Sequence, residues 1–433
     1  MRTTHVFSFP DADALKISLL GWAQQFEEVV WLDSNAAENK HNRNYKSYDA
    51  LLAVEAFTAI KTDALNAFED LREYQTHTAD WIFGYLSYDL KNDLESLIST
   101  NFDGLSFPEL YFFQPKKLFF LNGNRLEVSY LNLVADEMEE DLQDIKNFKI
   151  ETQSPAPTVP EIKARILKPD YLKKVSQMLH HIQVGDIYEA NFCQEFYAEH
   201  AVIHPLETYL KLNAISSPPF AVYLKLTDLF LLSASPERFI RKEGNKIISQ
   251  PIKGTAGRAA DLKEDRQLAA GLQQDPKERS ENIMITDLVR NDLSRTATRN
   301  SVQVEELCKC YTFKQVHQLI TTVVSEVAET TSIIDVLKTT FPMGSMTGAP
   351  KESAMNIIEQ LEETKRGLYS GAVGYITPTG EADFNVVIRS ILYNSTKRYL
   401  SFSVGSAITI KSTPESEFEE CLLKAKAMLE VLK

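Results

Sequence analysis

Cysteine is scarce in this chain: four in 433 residues, Cys193, Cys308, Cys310 and Cys421. The Cys308-x-Cys310 spacing is too tight for usual zinc ligation and has no second ligand pair nearby, so reduced thiols are expected. Long apolar runs are missing as well; none approaches the roughly 20 residues that span a bilayer. The opening stretch MRTTHVFSFPDADALKISLL carries acids early and does not read as a signal peptide. A soluble, cytoplasmic chain without membrane contact is therefore expected. No long Lys/Arg block interrupts a net charge of −14, which argues against a nucleic-acid partner. An anionic small substrate would then need a local cationic site or a metal. Solenoid repeats and low-complexity tracts are also lacking.

What is present is an ordinary globular balance, 44% hydrophobic and 24% charged, with ample length for a large core. EEVVWLDS (27–34) and WIFGYLSYDL (81–90) read as strands, and 108–131 as a hairpin turning at Asn-Gly. Residues 48–74 show helical spacing of apolar positions. ETQSPAPTVPEI (151–162), with three prolines and no periodicity, reads as a linker between a region 1–150 and a region 163–433. Beyond it, helices are expected near 169–183, 262–292, 350–362 and 414–432, with blocks of consecutive strands between. Blocks rather than strict β-α alternation favour an α+β class.

Two segments could hold a hard cation. In DPKERSENIMITDLVRNDL (275–293), Glu278 and Glu281 stand at i and i+3 and share a helix face. In STPESEFEECLLKAKAMLEVL (412–432), Glu417, Glu420 and Lys424 line a face beside an apolar stripe. Converging carboxylate pairs suit Mg²⁺, which takes one or two carboxylates plus waters and an anionic substrate. Taken singly, such pairs usually mark a solvated face. FPMGSMTGAPK (341–351) fails the phosphate-loop spacing and reads as a tight loop before a helix. Glu237 in SPERF follows a strand, and His317 lies in a strand-like run. Arg389, amid apolar neighbours in FNVVIRSIL, calls for an anionic partner.

Read in order, GDIYEANFCQEF, SASPERF, QPIKGTAGR, ENIMITDLVRNDLSR, VHQL, FPMGSMTGAPKESAMNIIEQLE, RGLYSGAVGYI, DFNVVIRS and STPESEFEECLLKAKA resemble the chorismate-utilising enzymes. That family includes anthranilate synthase component I, aminodeoxychorismate synthase component I, and the isochorismate and salicylate synthases. The likeness is strong over about 168–430 and weaker before it, through WLDS and GYLSYD. It implies an α+β fold with two β-sheets packed orthogonally between helical layers. It implies Mg²⁺ on Glu281 and Glu420, with Glu278 and Glu417 beside it, binding the ring carboxylate of chorismate. Substrate contacts are implied at Gly254, Thr255, Ser345, Tyr369, Arg389, Gly405 and Lys424, and a histidine near the leaving hydroxyl at His317. Ser34 matches a serine that binds tryptophan in some members.

Within the family, the position of Lys253 is alanine in anthranilate synthases and lysine in the aminodeoxychorismate synthases. The water-adding branch carries its base at the position of Glu189 as a lysine. The resemblance therefore favours 4-amination: Lys253 attacks C2 of chorismate, Glu237 protonates the departing C4 hydroxyl, and ammonia adds at C4. No glutaminase segment is seen, so a glutamine amidotransferase subunit or free ammonia is expected as the nitrogen source. Anthranilate synthesis is the alternative activity, and a chorismate- or tryptophan-binding relic the non-enzymatic one. Departures from the family pattern are Glu189 where glutamine is common, Ala407 where a glycine is expected, and Lys411 for an aspartate.

Overall fold

The structure is a computed structural model that describes residues 1–35, 45–95, 97–149 and 157–433. Part of the expected linker, 151–156, lies outside the described residues, as does residue 150 before it. Every pairing between the described strands is antiparallel, and the pairings connect all twenty of them. Strands from the first 149 residues are woven into the rest. Glu28–Asp33 pairs with Phe220–Leu226, and Ile82–Leu86 pairs with Ala372–Ile376. Fold class is thus α+β, as expected.

Side-chain alternation explains the layering. Along Ala50–Thr62, Ala50, Leu52 and Val54 enter one hydrophobic core while Leu51 and Ala53 enter another. Its partner Leu110–Asn122 does the same, with Phe119 and Leu121 opposite Leu118 and Phe120. A strand's period of two thus places helices on both faces of the strand system. Lys168–Val184 and Pro414–Val431 cover one face; Ala67–Thr78 and Ile333–Thr340 cover the other.

One local expectation is corrected. The helical spacing read over 48–74 holds only for its end, Ala67–Thr78. Ala50–Thr62 is a strand, paired on both edges for its first half. Its residues 50–54 are apolar without a break, a run that fits either a buried helix or a strand buried on both faces. Among the described residues no helix is long and apolar enough to cross a membrane.

Candidate active site

The two carboxylate pairs arrive on two capped helices. Asp275 caps Pro276–Ser294, accepting from the Lys277 and Glu278 N–H groups at 2.8 and 3.1 Å, with Pro276 in the first turn. Thr413 and Pro414 start Pro414–Val431 in the same way. Phe418, Cys421, Ala425 and Met428 bury that helix's apolar stripe, and the charges of Glu417 and Glu420 reach Glu281 on the first helix. Burial pushes the Glu281 carboxyl up, Lys253 and Lys277 pull it down, and Glu420 and Glu417 add to the rise. Burial and Glu281 likewise raise Glu278. Burial also acts on Glu420, but Lys424 at 2.6 Å outweighs it and holds that carboxyl low. The four acids therefore share one electrostatic neighbourhood.

This donor set fits a hard dication. Its members are all carboxylates, their crowding would be relieved by positive charge, and among the described residues the buried Glu417 Oε2 has no hydrogen-bond partner. Among the described residues no group of three His, Cys, Asp or Glu side chains stands close enough together to hold a metal ion by itself. Mg²⁺ on one or two carboxylates, completed by water and a substrate anion, is compatible with that openness.

Lys253 lies within electrostatic range of Glu237 and of these acids. Lys253 stands on Ile252–Gly257 with its side chain only 13% exposed. Its charge bears on Glu237, Glu281, Glu420 and Glu189. Glu237 lies between two strands, Leu229–Ser235 and Arg238–Glu243, and is 4% exposed. The Ser345 hydroxyl donates to its Oε1 at 2.6 Å. Burial pushes this carboxyl up to about 7, against the opposing pull of Ser345, Lys253, the Ile252 N–H and Arg389. A carboxylic acid is thus held near neutrality beside an amine.

The remaining positions divide. Gly254 has φ +95°, and an added Cβ would sit 3.1 Å from Glu278 Oε2, so glycine lets this backbone run close to the acid helix. Thr255 follows it, exposed, opposite Gln318. At Gly405 a Cβ would lie 2.5 Å from Cys193 Sγ, and its carbonyl accepts from Lys424 Nζ at 2.9 Å. Arg389 has φ +52° and, among the described residues, no hydrogen bond or ion pair to its guanidinium, although its charge reaches Glu237. Tyr369 is buried, its hydroxyl 3.9 Å from Cys193 Sγ. His317 is buried and both ring nitrogens are engaged, Nδ1 with Thr312 at 2.9 Å and Nε2 with Asp265 at 3.0 Å. Ser34 lies elsewhere, donating to the Asp49 carbonyl on the wall of a cavity of about 640 Å³ that Lys16, Tyr48, Arg238 and Tyr375 also line.

Three supporting groups were not singled out by sequence reasoning. Asn282 Nδ2 donates to the carbonyls of Lys253 and Leu319, both at 3.1 Å, tying the lysine strand to the acid helix. Arg366 donates to Glu362 and to the Met346 carbonyl beside Ser345. Lys351 donates to Asp292 at 2.6 Å behind the same loop. Asn282 and Asp292 could have been sought as polar residues on the inward face of an expected helix.

A family model of chorismate binding enzymes matches residues 24–430. Anthranilate synthase component 1 of Thermus thermophilus is 33% identical over 361 residues, 81% of this chain and 77% of that one. Aminodeoxychorismate synthase component 1 of Bacillus subtilis is 29% identical over 401 residues, 90% of this chain and 83% of that one. The crystal structure of anthranilate synthase component I from Streptococcus pneumoniae superposes with a TM-score of 0.77 at 25% identity, covering 90% of this chain and 94% of that one. MenF, the menaquinone-specific isochorismate synthase of Escherichia coli, shares the fold, with a TM-score of 0.77 at 18% identity over 100% of this chain and 95% of that one. The chain belongs to the chorismate-binding enzymes and is of the anthranilate/aminodeoxychorismate synthase type. The identities alone do not divide those two activities.

Proposed function

We propose that this member of the chorismate-binding enzymes is an aminodeoxychorismate synthase component I, converting chorismate and ammonia to 4-amino-4-deoxychorismate, the precursor of 4-aminobenzoate and folate. The observation that carries this reading is the presence of a shielded lysine, Lys253, and a near-neutral buried acid, Glu237, in one site. Direct amination at C2, as anthranilate synthesis needs, has no use for an amine already standing there.

In the proposed sequence the Lys253 amine attacks C2 and the ring double bond shifts. The C4 hydroxyl leaves as water with the Glu237 proton. Ammonia then adds at C4 and the lysine is expelled from C2. Ser345 keeps the Glu237 carboxyl oriented. Arg389 and Lys424 supply cations for the substrate's carboxylates, alongside Gly254, Thr255, Tyr369 and Gly405 as the remaining contacts. His317 would have to release Thr312 or Asp265 to donate a proton, so the acid role goes to Glu237. Glu281 and Glu420, with Glu278 and Glu417 beside them, would hold Mg²⁺, whose positive charge would neutralise the ring carboxylate. A separate glutamine amidotransferase subunit would deliver the ammonia. The cavity at Ser34 is the proposed place for tryptophan; region 1–150 brings Ser34, Lys16 and Tyr48 to it, and region 163–433 brings Arg238 and Tyr375 as well as the chemistry.

The test is product identity. The pure chain is incubated with chorismate, Mg²⁺ and ammonium, and the product is identified by chromatography and mass. Aminodeoxychorismate, turning into 4-aminobenzoate when a lyase is added, is expected. Anthranilate formed directly would overturn the reading, and no turnover under any condition would make the chain a binding protein. Lys253→Ala should abolish amination; near-normal amination by that variant would remove the lysine from the chemistry.

A further inference from the structure

One buried acid in this site has no part in the steps above. Glu189 opens the strand Glu189–Ala198, and its backbone is held from two sides, paired with Thr409 and with Ala349. The side chain is 1% exposed. Its ion-pair partner is Lys253, whose Nζ lies 3.9 Å from Oε1, inside ion-pair range but beyond a hydrogen bond. Among the described residues Oε2 has no hydrogen-bond partner. A buried carboxylate this poorly satisfied carries a desolvation cost that a neutral side chain of the same shape would avoid. One structural carboxylate nearby is satisfied more fully: Asp265 accepts from Arg258, Ala259 and His317. Glu189 is instead placed against the one amine that must lose a proton.

We infer that Glu189 is the proton acceptor for Lys253. This rests on the reading that Lys253 adds to the substrate. The Lys253 ammonium gives a proton to the Glu189 carboxylate and becomes the free amine. That amine forms the bond to C2 as the C4–O bond breaks with the Glu237 proton. When ammonia forms the C4–N bond and the C2–N bond to lysine breaks, neutral Glu189 returns its proton to the departing amine. The new C4 ammonium then reprotonates Glu237, so the cycle closes with chorismate plus ammonia giving product plus water. The 3.9 Å gap is closed by rotation within the lysine side chain, as catalytic contacts tighten once substrate binds. Other charges facing the pair are Glu281 toward Glu189, and Glu237, Glu281 and Glu420 toward Lys253. The remaining backbone partners of Glu189, Thr409 and Ala349, are uncharged.

An internal transfer has a distinct signature. While the proton moves only from Lys253 to Glu189, the share of free amine does not depend on pH. With Glu189→Gln the lysine must give its proton to water, so log kcat gains a rising limb of about tenfold per pH unit through neutrality. The experiment measures kcat from about pH 6 to 9 at saturating chorismate and Mg²⁺ and at a fixed concentration of unprotonated ammonia, for the natural chain and Glu189→Gln. A rising limb in the variant alone, with KM for chorismate nearly unchanged, is expected. The same profile shape in both would overturn the inference. Glu189→Ala provides a second readout: added formate should restore part of its rate, chloride should not, and no rescue by formate counts against the proposal. Near-normal amination by Lys253→Ala would instead remove the lysine reading itself, whatever Glu189 does.

Discussion

Two buried carboxylates are reached from the strand of Lys253, and they differ in almost every respect. Asp265 accepts two hydrogen bonds from Arg258 at 2.8 Å, one from the Ala259 N–H and one contact from His317. The Arg258 hydrogen bonds hold its carboxyl well below the usual range. Among the described residues Glu189 has one cation at 3.9 Å and one oxygen with no partner, and burial pushes it up. The first arrangement fixes a charge and closes off proton traffic. The second leaves a proton free to move. Glu237 belongs with Glu189: buried, raised to about 7, and bonded at one oxygen by a hydroxyl rather than a cation. Acids raised by burial on the Lys253 side and an acid held low by a cation's hydrogen bonds beyond it are what a proton-transfer site attached to a rigid frame requires.

The largest effect should come from Glu237. As general acid it must be protonated, so Glu237→Gln should lower kcat by about 10²–10⁴-fold. Its sign with pH follows from the raised pKa: the acid form is lost as pH rises through about 7 in the free enzyme. kcat/KM of the natural chain should therefore fall above that point, and the variant should lose this falling limb. An unchanged limb would place the titration elsewhere and break the grouping of Glu237 with Glu189. A smaller effect is expected at the metal helices. Glu281→Gln removes one proposed ligand and one negative neighbour of Lys253; Mg²⁺ titration of activity should shift upward by about tenfold or more. Equal Mg²⁺ demand in both forms would remove Glu281 from the metal.

Much of this was legible in the sequence, for physical reasons that also explain what was not. Helix caps such as Asp275-Pro276 and Thr413-Pro414 are local, so the two acid helices could be placed from a few neighbouring residues. The hairpin turn is local in the same sense, although it falls on Gly123-Asn124, one residue beyond the expected Asn-Gly. Ala50–Thr62 was misread because a strand buried on both faces loses its alternation, and only its distant partners, near 30 and 120, identify it. In the site, Lys253 and Glu237 stood out through ordered motifs. Asn282 to Lys253, Arg366 to Met346 and Lys351 to Asp292 did not, since each contact joins residues 20 or more apart. Glu189 was visible as an unusual residue, but not that it faces Lys253.

The smallest effect sharpens the comparison most, because the same chemical change is made at both acids. Asp265→Asn keeps the shape but weakens the acceptor that Arg258, Ala259 and His317 share, leaving donors without a full partner. The folded-state pKa of Asp265 is depressed, so its stabilisation is present above the ordinary carboxylate range and lost as pH falls through the folded value. At neutral pH the variant should therefore melt lower, by roughly 2–4 °C or more. Glu189→Gln removes a charge that burial disfavours, and its folded-state pKa is raised, so the ionised form weighs against folding as pH rises above the ordinary range. That variant should melt at or slightly above the parent temperature while losing rate. Thermal melts of both at pH 7.5 decide the matter: if Glu189→Gln falls as far as Asp265→Asn, Glu189 is a structural anchor like Asp265, and its unsatisfied oxygen has no catalytic meaning.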